Sequence, residues 1–210
     1  MARGMRTTGT QEGIGMPLQN FPVVLPYRYE GEPVDQFHAG QAHVLASGPP
    51  AALATAQVLV SVQALLRQPG RKPLPESNRA RIGSPGATFD GLYAYVITRN
   101  GPIHHLDFSS RLDQDHGAKL GDVLRGLDAT QLFGVVFDCQ RLTYLNTMAL
   151  ASLAGNAERL HLHACRLSDP IRKVFEMVGI HNVIGLHADL QNALAALIRE
   201  LRSVKTPVPS

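Results

Sequence analysis

The segment FGVVFDCQRLTYLNTMALASL, Phe133 to Leu153, constrains the fold of this 210-residue chain more tightly than any other. An unbroken apolar run, Phe133 to Phe137, stops at Asp138, as expected of a strand covered on both faces of a parallel sheet. A short polar turn and Leu142 to Leu145 follow, and Asn146-Thr147 opens a run of helical character. A buried strand that feeds a helix in this way requires a layered α/β arrangement. It also places a threonine hydroxyl at a helix N-terminus, where backbone N–H groups are unpaired and the helix dipole favours negative charge. Thr147 is therefore a candidate phosphorylation switch. Plain helix capping accounts for the same residue, since threonine is favoured at helix starts whatever the function.

The pattern extends in both directions. Leu92 to Thr98, rich in Tyr, Val and Ile, reads as a strand, with Gly101-Pro102 as a turn after it. Leu106 to Leu127 reads as a helix carrying Leu112, His116, Leu120, Val123, Leu124 and Leu127 on one side. Thr147 to Leu160 is helical with Leu150, Leu153, Ala154 and Ala157 inward, and His161 to Cys165 is a short strand. Ser168-Asp169-Pro170 starts a helix that carries Ile171, Val174, Phe175 and Val178 and stops at Gly179. Val183 to Leu186 forms a further strand. A last helix begins near Asp189 with Leu190, Ala193, Leu194, Leu197, Ile198 and Leu201 as its stripe. The expected architecture is α/β: a largely parallel sheet of four to five strands with about four helices over residues 88–202, and a flexible tail at 203–210.

The first 87 residues read differently. Ten of the 14 prolines precede residue 86, and such density argues against long regular elements. One amphipathic helix is expected over 51–68, with Val58, Val62, Leu65 and Leu66 on one face, followed by a linker from Gln68 to Gly86. The region is otherwise expected to be poorly ordered.

Charge excludes some function classes. Residues 1–87 hold 8 Lys/Arg against 5 Asp/Glu, whereas residues 88–210 hold 12 against 12, so the regular part is neutral and offers no nucleic-acid surface. Two cysteines, Cys139 and Cys165, form neither a metal spacing nor a disulfide framework, which suits a reduced cytoplasmic setting. No signal peptide is expected, and Ala51 to Leu66, interrupted by Thr55, Gln57, Ser61 and Gln63, falls short of a spanning helix of ~20 apolar residues. His161, His163 and Cys165 alternate along one strand, but without a further group they do not make a metal site. No Ser-His-Asp arrangement, phosphate-cradling glycine loop or paired catalytic carboxylates is present at useful spacing. No enzyme, metal or cofactor is expected.

The ordered set FDCQRLTYLNTMALASLAG, DPIRKVFEMVGI and VIGLHADLQNALAAL resembles the STAS domain of sulphate transporters and anti-sigma factor antagonists. Asp138 matches the acid at the end of the family's strand, and Asn146-Thr147-Met148-Ala149-Leu150 matches its Asp-Ser-Ser-Gly-Leu-like helix start. Pro170 to Gly179 and Asp189 to Leu197 match the closing helices. Two departures stand out: Asn146 replaces the acid before the phosphorylated serine, and Ala149 replaces the glycine after it. The resemblance implies a non-enzymatic interaction module that binds an anti-sigma factor of the serine/threonine kinase class, with Thr147 as phosphosite and Asp138, Asn146, Met148 and Ser152 at the partner surface. From the residues alone, Asp138 reads as a strand-end acid accepting backbone N–H bonds, and Met148 and Ser152 as part of a solvated helix face. The resemblance also implies alternatives: a scaffold in a stress-signalling complex, a regulatory subunit bound to a transporter ATPase, or a ligand-sensing protein whose pocket residues 1–87 help to form.

Overall fold

A computed structural model describes residues 18–86, 88–89, 91–98, 104–127 and 132–204. Among the described residues the chain forms two five-stranded sheets and one two-stranded ladder. The first is built from β1 (Leu18–Tyr29), β2 (His38–Ala46) and three short strands, β3 (Pro73–Pro75), β4 (Arg81–Ile82) and β5 (Thr88–Phe89). All pair antiparallel with β1, which has β2 along one edge and the broken line β3, β4, β5 along the other. Helix α1 (Pro49–Arg67) packs across β1 and β2.

This module replaces the irregular segment expected from the proline content. The alternation Phe21, Val23, Leu25, Tyr27 and Tyr29 gives β1 one buried face. Pro22 and Pro26 lie on the other face, and their lack of an N–H is harmless. Each uses its carbonyl instead, Pro22 O accepting from Gly83 N and Pro26 O from Glu76 N, both at 2.8 Å. Length and composition alone would let α1 cross a membrane, contrary to the reading that its polar interruptions leave it short. Its apolar face instead packs in the core through Ala52, Ala56, Leu59 and Val60.

The second sheet has the order β12-β11-β9-β6-β7, from β6 (Gly91–Thr98), β7 (His104–Ser109), β9 (Leu132–Asp138), β11 (Leu162–Cys165) and β12 (Gly185–His187). It is mixed, which corrects the expectation of a largely parallel sheet. β9, β11 and β12 are mutually parallel because helices α3 (Thr147–Leu160) and α4 (Asp169–Val178) carry the crossovers, whereas β6 pairs antiparallel with both β7 and β9. The stretch expected as a helix from Leu106 divides into the end of β7, a two-residue strand β8 (Arg111–Leu112) and helix α2 (Gln114–Gly126), capped by Asp113. The Gly101-Pro102 turn and the tail beyond 204 lie outside the described residues; the last helix, α5 (Leu190–Val204), continues further than 202.

Both faces of the central sheet are covered. Leu92, Ala94, Val96, Val135, Phe137, Leu162 and Ala164 pack under α2, α3 and α4. Tyr93, Tyr95, Ile97, Val136 and Cys165 face the other way, into one core shared by α5, α1 and the N-terminal sheet. Tyr93 Oη reaches Asn20 Oδ1 at 3.4 Å across that boundary. The N-terminal module is thus a wall of the core.

Candidate functional site

Thr147 is the first residue of α3, and the local chain is fixed by backbone pairing. β10 (Tyr144–Leu145) runs parallel to β8, and Asn146 N donates to Leu112 O at 2.9 Å. This two-residue ladder brings the starts of α2 and α3 side by side. Asn146 then caps α3, its Oδ1 accepting from Ala149 N at 3.0 Å. The carboxamide thereby satisfies one of the unpaired N–H groups at the start of α3. No acidic residue occupies the first turn of α3, so the positive end of its dipole is uncompensated by a side chain.

Thr147 and Met148 are exposed, Met148 at 44%. Beside them runs a groove of about 340 Å³ between α3 and the end of α4, lined by Thr147, Leu150, Ala151, Ala154, Val178 and Val183 among others. Met177 (82% exposed), Val178 and Val183 extend this apolar surface. Helix α4 ends there because Gly179 adopts a left-handed φ of 78° and passes the chain into the short turn Ile180–Asn182. A hydroxyl thus stands at the rim of an open apolar groove, next to a helix N-terminus.

The other predicted partner-binding residues are placed otherwise. Ser152 is half-buried, and its Oγ donates to Gly117 O of α2 at 3.0 Å. That contact belongs to a close helix crossing in which a Cβ on Gly117 would stand 2.7 Å from Ala149 N and one on Gly121 2.7 Å from Ser152 Oγ. The Gly-x-x-x-Gly spacing of 117 and 121 puts both glycines on one face of α2, a signal readable in the sequence but not used. Asp138 is 1% exposed and offers no surface. Its carboxylate accepts from Gln140 N at 3.2 Å and forms a two-point ion pair with Arg166, through Nε at 2.9 Å and through Nη2. Arg166 follows β11 in a left-handed conformation, φ 56°, which swings its guanidinium back over the end of β9. Asp138 is thus a structural strand-end residue, tied to backbone as one reading expected and to an arginine that sequence reasoning missed.

Burial pushes both thiols upward from their ordinary range. Cys139 belongs to the core under α2 to α4 and Cys165 to the core under α5, so the sheet separates their packing. His163, 1% exposed, places Nδ1 3.0 Å from His187 Nε2, with Nε2 3.3 Å from Glu200; burial lowers the pKa of both imidazoles. Among the described residues no group of three or more His, Cys, Asp or Glu side chains is arranged to hold a metal ion. No family model, curated protein or solved structure matches the chain.

Proposed function

We propose that this chain is a non-enzymatic protein-interaction module of the STAS type, an anti-sigma factor antagonist of the cytoplasm whose contact with a serine/threonine kinase partner is switched by phosphorylation of Thr147. The observation that carries this reading is the position of Thr147, an exposed hydroxyl on the rim of the α3–α4 groove. Apolar side chains left open at Met148, Met177, Val178 and Val183 supply the surface that a partner would cover. A phosphate on Thr147 would add about two negative charges. The helix dipole tolerates that charge at the first turn of α3, so the fold survives while an apolar contact at the same place is weakened. Met148 and Asn146 flank the contact, Met148 as a side chain the partner touches and Asn146 as the cap that holds Thr147 in place.

The test is a pull-down with the full chain, followed by binding measurements on the recovered partner with wild type, Thr147→Asp and Val178→Asp. The reading expects a kinase of the histidine-kinase-like ATPase type and weaker binding by both variants. Recovery of a transporter ATPase whose binding ignores Thr147→Asp would replace it with the regulatory-subunit alternative.

A further inference from the structure

We propose that a depression between α1 and the start of α5 binds a free aliphatic α-amino acid. The depression measures about 330 Å³ and is lined by Ala54, Thr55 and Val58 of α1, by Arg166 after β11, and by Asp189 and Leu190 where α5 begins. One wall therefore comes from the N-terminal module and the other from the central α/β layer. Such junctions are a common place for small-molecule sites. The α3–α4 groove shares none of these residues, so the site stands apart from the Thr147 surface.

The polar groups decide the class of ligand. Arg166 and Asp189 carry opposite charges and line the same depression, yet no ion pair joins them. Each is held from behind. Asp138 takes Nε and Nη2 of the guanidinium, a pair that leaves Nη1 unused. Asn192 donates its backbone N to Asp189 Oδ1 at 2.8 Å and its Nδ2 to Oδ2 at 2.9 Å, which fixes the carboxylate and leaves each oxygen a further lone pair. Charged groups ordered in advance lower the entropic cost of binding. On the α1 wall, the Thr55 hydroxyl has no hydrogen-bond partner among the described residues.

A simple anion does not suit this site, because the charged groups that line or back it are two carboxylates, Asp138 and Asp189, and one guanidinium. A simple cation leaves Arg166 Nη1 and Thr55 unanswered. A zwitterion answers all three groups: its carboxylate accepts from Arg166 Nη1 and from the Thr55 hydroxyl, and its ammonium donates to Asp189. Ala54, Val58 and Leu190 make the rest of the lining apolar, so an aliphatic side chain completes the fit.

The test is isothermal titration calorimetry on the full chain with leucine, isoleucine, valine and methionine, each to about 10 mM. At least one is expected to bind with a Kd below about 1 mM. Removing either charge from that ligand, as leucine amide and 4-methylpentanoate do for leucine, weakens binding at least tenfold. Asp189→Asn, which keeps an oxygen for Asn192 N, and Thr55→Val each weaken it at least tenfold while the circular dichroism spectrum stays unchanged. A chain that binds none of the four overturns the proposal. So does an affinity that survives the loss of either ligand charge, or one unchanged in Asp189→Asn or in Thr55→Val.

Discussion

Replacing Arg166 tests the account of Asp138. Asp138 is 1% exposed, and without the guanidinium Gln140 N at 3.2 Å is what remains to its carboxylate among the described residues. Removing one partner of a buried pair typically costs about 3–5 kcal/mol, because the remaining charge is stranded. Since the Arg166 side chain is itself 34% exposed, solvent screens part of this, and Arg166→Ala should cost about 2–4 kcal/mol. Arg166→Gly removes the same charge but suits the left-handed φ of 56°, so it should be more stable than the alanine variant by about 1 kcal/mol. The double variant Asp138→Leu/Arg166→Met removes both charges and should return to within about 1–2 kcal/mol of wild type. The chain has no tryptophan, so urea unfolding at pH 7 is best followed by far-ultraviolet circular dichroism. An Arg166→Ala cost below about 1 kcal/mol, or a double variant less stable than the single one, would refute the reasoning.

Other expectations test separate parts of the structure. Gly117→Ala drives a methyl against the backbone of Ala149 and should destabilise by about 1–2 kcal/mol, whereas Gly121→Ala meets side chains alone, Ser152 and the flexible end of Arg125, and should be nearly neutral in the same unfolding assay. Burial lowers the folded-state pKa of His163, so the unfolded chain binds the proton more readily; stability should fall as pH drops below about 6.5, and His163→Gln should flatten that slope in thermal melts between pH 5 and 8. Limited proteolysis should release no stable core spanning 88–202, because Tyr93, Tyr95, Ile97, Val136 and Cys165 share their packing with α1 and the N-terminal sheet; a resistant fragment of that size would contradict the shared core.

The central α/β pattern was legible because its signals are local. Asn146 and Gly179 mark helix boundaries by their own backbone preferences, and α3 spans Thr147–Leu160 as its periodicity predicts. The N-terminal sheet was not legible from proline density, because whether Pro22 and Pro26 break a strand depends on which side of β1 needs an N–H, a fact of pairing rather than of sequence. The same non-local cause hid β7, whose pairing with β6 overrode an apparent helical spacing across Leu106 to Leu127. At the site, Thr147 and Met148 lie at the exposed start of α3. The bonds of Ser152 to Gly117 and of Asp138 to Arg166 were not legible, because those partners lie 35 and 28 residues away in sequence.

The central claim is that the α3–α4 groove docks a kinase partner under the control of Thr147. Its most direct test is the dissociation constant of the partner recovered with the full chain, measured by calorimetry for unmodified protein and for protein phosphorylated at Thr147. The account predicts at least a tenfold loss of affinity on phosphorylation, equivalent to about 1.4 kcal/mol, with the circular dichroism spectrum unchanged. Equal affinity for the two forms would contradict it.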